Sequence, residues 1–157
     1  VETVTAMAAA CAEADRADRS HTLDAAFLDR TFTRIDQSIA MAALFAAHHM
    51  RASAIVSLTQ SGSTALWVTR IDSGIPVYAL TPEESSRRRM TLFRECHPVA
   101  MQYRSYDMPA VLADVERLML ENGLVKNGDL VVITVGEPVG KSGGTNNLKI
   151  VRIGSHS

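Results

Sequence analysis

A three-layer α/β/α sandwich is the fold the sequence predicts, with a five-stranded, mostly parallel sheet whose last strand is antiparallel and with an extra helix at the N-terminus. Three observations predict it. Ala54-Ile55-Val56-Ser57-Leu58 is a continuous apolar run of strand length, as a strand buried on both faces requires. A small polar loop follows, then a helical stretch over 65–70 and a second strand over 75–80, and a strand, helix, strand order implies a right-handed parallel crossover. The apolar strand over 129–135 and the strand over 147–153 are joined by about ten residues with no helical pattern, which makes that pair an antiparallel hairpin.

The elements follow in order. Residues 1–17 are alanine-rich and place Val4, Met7 and Cys11 at spacings of three and four, the mark of an amphipathic helix. The charged stretch 15–20 reads as a linker or hinge. Ser20 and Thr22 can cap a short helix over 23–28, and a longer helix over 33–50 runs on Ile35, Ile39, Ala42, Ala43 and Ala46. His48 and His49 stand side by side at its end, whereas two histidine ligands on one helical face need a spacing of three or four. Ser61, Ser63 or Thr64 can cap the helix after the first strand, and Asp72-Ser73-Gly74 ends it. Thr81 then caps a helix that opens with Pro82, Glu83 and Glu84. Its Arg87-Arg88-Arg89 run points around most of a turn, so it reads as a solvated face and not as a nucleic-acid patch. A short third strand over 98–101 and an amphipathic helix over 109–122, closed by Gly123, complete the set.

Bulk properties narrow the function. The 157 residues suit one domain with a sizeable core and a small appendage, and 46% hydrophobic with 21% charged residues is the composition of a globular protein. A formal net charge of -1 gives no global attraction to nucleic acid or membrane, so any anion site must be local. Cys11 and Cys96 have no second cysteine at metal or disulfide spacing and read as free thiols in a reducing compartment. The longest apolar stretch, over 39–47, is too short to span a bilayer, and the N-terminus lacks signal-peptide features. The expected location is the cytoplasm. A chain that starts at Val1 and enters a helix at once has the look of a piece of something longer.

Chemistry concentrates in two loops. Thr59, Gln60, Ser61, Gly62, Ser63 and Thr64 form a turn rich in hydroxyls around an unhindered glycine, a setting in which backbone N–H groups can meet a phosphate; the plain alternative is a turn that binds nothing. Gly136-Glu137-Pro138-Val139-Gly140-Lys141-Ser142 looks like a nucleotide P-loop but fails on two counts. Three residues, not four, separate Gly136 from Gly140, and Gly143-Gly144-Thr145-Asn146-Asn147 follows where a helix should start. As a glycine-rich loop with Lys141, Ser142, Gly143 and Gly144 it can instead close over an anion held by the first loop, because both follow strand C-termini. There is no nucleophile elbow, metalloprotease helix, cysteine pair or acidic cluster for magnesium. The sequence favours binding over catalysis and predicts no metal site.

Ser57-Leu58-Thr59-Gln60-Ser61-Gly62-Ser63-Thr64-Ala65, Pro76-Val77-Tyr78-Ala79-Leu80-Thr81, Gly128-Asp129-Leu130-Val131-Val132-Ile133-Thr134 and Gly143-Gly144-Thr145-Asn146-Asn147 together resemble the C-terminal domain of pyruvate kinase, with matching spacing. The wording around Gly74 to Tyr78 and Ser61 to Ala65 is most similar to bacterial enzymes activated by AMP or sugar monophosphates. The resemblance implies that residues 1–19 belong to the end of a catalytic barrel and 20–157 to a regulatory domain. It implies that phosphoryl transfer from phosphoenolpyruvate to ADP, with magnesium and usually potassium, takes place on the barrel, with no cofactor in this chain. It further implies a phosphorylated effector, AMP or a sugar phosphate, held by Thr59, Gln60, Ser61, Gly62, Ser63 and Thr64 and closed over by Lys141, Ser142, Gly143 and Gly144. The domain would also form a homo-oligomer interface within a tetramer, with no nucleic-acid or membrane partner. One departure stands out: relatives commonly carry arginine or lysine where this sequence has Ser63. The competing expectation is a stand-alone phosphometabolite-binding or assembly module.

Overall fold

The structure is a computed structural model that describes residues 2–17 and 31–155. The chain divides into two compact units, Val1–Arg30 and Thr31–Ser157. The first contains helix α1 (Glu2–Ala17), with the acidic Glu2 in its first turn, where the helix dipole favours it. Asp15 and Arg16, expected to begin a linker, continue that helix; the rest of the linker and the short helix expected over 23–28 lie outside the described residues.

The second unit runs α2 (Ile35–His49), β1 (Ala54–Leu58), α3 (Ser63–Val68), β2 (Val77–Thr81), α4 (Glu84–Met90), β3 (Cys96–Ala100), α5 (Met108–Glu121), β4 (Leu130–Gly136) and β5 (Thr145–Arg152). The five strands form one sheet in the order β3-β2-β1-β4-β5, parallel except for the β4–β5 hairpin. Strand β1 is buried along its whole length, as its unbroken apolar run requires. Its two faces go to different layers. Ala54, Val56 and Leu58 join Val131, Ile133 and Val135 of β4 beneath Val111, Val115 and Met119 of α5. On the opposite face Ala65, Ala79, Met90 and Cys96 bring α3 and α4 onto β2 and β3, while α2 packs on α3, β4 and β5. The layers are therefore α/β/α, as expected. Burial pushes the Cys96 thiol up to about 11, so it is a protonated core residue at neutral pH.

Several local expectations are corrected. The buried residues of α2 are Asp36, Ala40, Met41, Ala43, Leu44 and Ala47, while Ile35 and Ala42 face outward. Alanines on every side of this helix left its phase open, and the tertiary partners selected it. Helix α3 is not capped by a serine or threonine side chain; its N-cap is Gly62 at φ 80°, with no side-chain bond. Thr81 is the last residue of β2, and its hydroxyl accepts from the Glu83 N–H at 3.1 Å, so α4 begins after Pro82 and not at it. At α5 the Asp107 carboxylate accepts from the Ala110 N–H at 3.4 Å. No helix among the described residues is long and apolar enough to cross a membrane.

Candidate functional site

Strands β1 and β4 are neighbours, yet the chain leaves β1 toward β2 and leaves β4 toward β5. In open α/β sheets the loops at such a divergence splay apart and leave a crevice beyond the strand C-termini. Here that crevice is a narrow cleft, partly open to solvent. Thr59, Gln60, Ser61, Ser63 and Thr64 line it from the first loop, and Lys141 and Gly143 from the β4–β5 loop. The two loops singled out in the sequence thus meet. Gly62, Ser142 and Gly144 are not among the lining residues: Gly62 faces a neighbouring groove with Leu66, Arg89 and Phe93.

The first loop is held by its own hydroxyls. The Thr59 hydroxyl accepts from the Gly62 N–H at 2.9 Å, and the Ser61 hydroxyl from the Ser63 N–H at 3.4 Å. From α4, Arg89 donates to the Ser61 carbonyl, which gives the arginine run a structural role besides its solvated face; Arg88 pairs with Glu84 at 2.5 Å. Under the cleft, Ser57 and Thr134 join β1 to β4 through a buried hydroxyl pair at 3.0 Å. Thr64 and Thr145, both buried, do the same between the two loops at 2.7 Å. A hydrogen bond between buried hydroxyls leaves neither without a partner, so this contact ties the loops in one arrangement.

The second loop folds tightly on itself. Asn146 brackets the Glu137 backbone, accepting from its N–H and donating to its carbonyl, each at 2.9 Å. The Lys141 carbonyl accepts from the Gly144 N–H at 3.3 Å. A β-bulge at Val135/Gly136 sets Gly136 opposite Thr145, and no helix follows, which agrees with the rejection of a P-loop.

Sequence reasoning missed several lining residues. Tyr103 comes from the loop after β3, and Gly140 packs so closely that a Cβ there would lie 2.9 Å from the Tyr106 ring. The position of that loop after a strand C-terminus was the available signal. Burial raises the Tyr103 phenol above its ordinary value. Among the described lining residues Lys141 is the one charged group, exposed at the rim, and none is a carboxylate, imidazole or thiol. Hydroxyls, amides and one ammonium can hydrogen-bond to a small polyoxygenated anion.

Sequence reasoning also missed Arg34 and Asp36. Asp36 is 4% exposed, and the Ser63 hydroxyl donates to its Oδ2 at 2.9 Å. The Arg34 guanidinium forks onto the same carboxylate, Nε to Oδ1 at 2.9 Å and Nη2 to Oδ2 at 2.6 Å, and Nη2 also reaches Ser63 Oγ at 3.3 Å. The Arg34 hydrogen bonds hold the Asp36 carboxyl below its ordinary value against the opposing effect of burial, with Ser63 and the Gln37 N–H adding to the lowering. A group whose folded pKa is depressed contributes stability above its unfolded pKa and loses it as pH falls through the folded value. Asp36→Asn is therefore expected to lower stability at neutral pH. The difference from the native chain should shrink below the ordinary carboxylate range, which urea unfolding at decreasing pH measures; a difference that stays constant into acid would contradict the assignment.

The family described as pyruvate kinase, alpha/beta domain, matches residues 37–151. Pyruvate kinase II of Salmonella typhimurium is 33% identical over 153 residues, which cover 97% of this chain and 32% of that protein. Pyruvate kinase of Buchnera aphidicola subsp. Schizaphis graminum is 35% identical over 155 residues, covering 97% and 31%. That of Haemophilus influenzae is 35% identical over 136 residues, covering 86% and 28%. The chain spans about a third of the length of these relatives.

Proposed function

The chain belongs to the pyruvate kinase family as its alpha/beta domain, and we propose on that premise that it is the effector-binding and subunit-contact part of such an enzyme. The reaction of the parent would be phosphoryl transfer from phosphoenolpyruvate to ADP. Residues 1–19 would be the end of the catalytic barrel and 20–157 the regulatory domain. The family uses magnesium and potassium on that barrel. The described residues contain no group of three or more His, Cys, Asp or Glu that could hold an ion, so no step is assigned to a metal here.

The observation that carries the effector reading is the convergence of the two loops on one polar cleft at the β1/β4 divergence. Its single rim cation, Lys141, and its neutral hydroxyl and amide lining favour a ligand with one phosphate over a bisphosphate, such as AMP or a sugar monophosphate. In this reading Thr59, Gln60, Ser61 and Ser63 face the ligand, Lys141 and Gly143 close over it, and Thr64 keeps the loops together through Thr145.

Calorimetric titration of the chain with AMP, ribose 5-phosphate, glucose 6-phosphate and fructose 1,6-bisphosphate, with inorganic phosphate as control, tests the proposal. Saturable binding of a monophosphate is expected. Lys141→Ala should weaken it by about 1.5–3 kcal/mol, the value of a charge-assisted contact. Absence of binding at millimolar ligand would reject an effector site in this chain and leave an assembly module.

A further inference from the structure

We propose that Arg34 is the positioning residue that lets the cleft accept an anion, by cancelling the Asp36 charge and fixing Ser63; this rests on the effector-binding reading above. Ser63 lines the cleft, and its hydroxyl proton is committed to Asp36. Behind that one hydroxyl sits a carboxylate on the buried stripe of α2, removed from the water that would otherwise screen it. Uncompensated, such a charge repels any phosphate entering the cleft.

Arg34 compensates it. As the N-cap residue of α2, with an extended backbone at φ -122° and ψ 141°, it turns its guanidinium back over Asp36 in a two-point fork. The same nitrogen that binds Oδ2 at 2.6 Å reaches Ser63 Oγ at 3.3 Å, so Ser63 donates to the carboxylate and accepts from the guanidinium. Both hydroxyl roles are satisfied, and the three groups form a locally neutral clasp at the cleft wall. The Arg34 side chain is still 54% exposed, which leaves its outer edge toward solvent while its inner edge neutralises the acid. Planar fork geometry of this kind is available to arginine and not to lysine, whose ammonium can supply the charge alone.

The test is titration of ribose 5-phosphate, AMP and inorganic phosphate into the native chain, Arg34→Ala, Arg34→Lys and the double variant Arg34→Ala/Asp36→Asn, each first checked for a cooperative thermal transition. Arg34→Ala should weaken the ligand that binds best by roughly tenfold or more, Arg34→Lys by less. The double variant should recover most of the loss, because the uncancelled carboxylate is gone. Equal affinity of Arg34→Ala and the native chain would overturn the proposal while leaving the effector site in place. So would a folded double variant that fails to recover, since a merely structural arginine is not rescued by removing its partner's charge. If the native chain binds none of the three probes, the effector reading itself falls and this one with it. Should Arg34→Ala not fold, Asp36→Asn alone decides: affinity equal to or tighter than native supports the clasp, and weaker affinity overturns it.

Discussion

Met90→Ala is expected to lower the unfolding free energy of the sheet-bearing unit by about 2–5 kcal/mol, in the upper part of that range. Met90 has no exposed surface and fills the space between α4, α3 and the sheet, where its buried neighbours are Ala65, Ala79 and Cys96, with Phe93 alongside. Two alanines and a cysteine have little side chain with which to collapse into the vacated volume, so most of the cavity should persist. Urea unfolding should show a lower midpoint at an unchanged slope; a loss below about 1 kcal/mol would mean that the surroundings repack. The same side chain forms the floor of the first cleft loop. A Cβ on Gly62, which sits at φ 80°, would lie 2.9 Å from both Cγ and Sδ of Met90. Gly62→Ala should therefore cost less in the Met90→Ala background than in the native chain, because the collision disappears and only the backbone strain remains.

Gly136→Ala is the second large effect, and it acts on the other loop. Gly136 is not in the left-handed region, so alanine there is acceptable to the backbone; the obstacle is the Gly144 carbonyl, whose oxygen and carbon would lie 2.7 and 2.8 Å from the new Cβ. Neither is the end of a flexible side chain, so the loop itself has to move. A cost of about 1–3 kcal/mol in stability is expected from overpacking. Movement of Gly144 also pulls on Lys141, whose carbonyl accepts its N–H, and on Thr145, the partner of Thr64. Binding of the phosphorylated ligand should fall by roughly tenfold or more through the displaced Lys141 contact. Gly128→Ala is the comparison: at φ 92°, with open space around its Cβ position, it should cost about 1 kcal/mol in backbone strain and leave binding unchanged. Equal effects of the two substitutions on binding would show that loop position does not govern the cleft.

Much of this architecture was legible in the chain. The apolar run 54–58 became a strand buried on both faces, and the absence of a helical pattern before 147 marked the hairpin that separates this loop from a P-loop. That Thr59, Gln60, Ser61, Ser63 and Thr64 meet Lys141 and Gly143 at one cleft followed from one rule about strand C-termini. The phase of α2 was only partly legible, because alanine is compatible with either side of a helix and Ile35, which is exposed, pointed to the wrong one. Nor was the cap of α3: three hydroxyl residues competed for the role, and the packing of Gly62 against Met90 gave it to the residue with no side chain.

The elements of the sheet-bearing unit over 35–152, their order, the mostly parallel sheet and the two cleft loops were readable from the chain, because each depends on periodicity, turn residues and chain direction within a few residues. Which hydroxyls are already engaged within the protein was settled by packing between distant segments. Thr64 is paired with a residue 81 positions away and Ser63 with one 27 positions away. No local pattern encodes those distances, and a buried hydroxyl or carboxylate takes whatever partner the packing brings within hydrogen-bond reach.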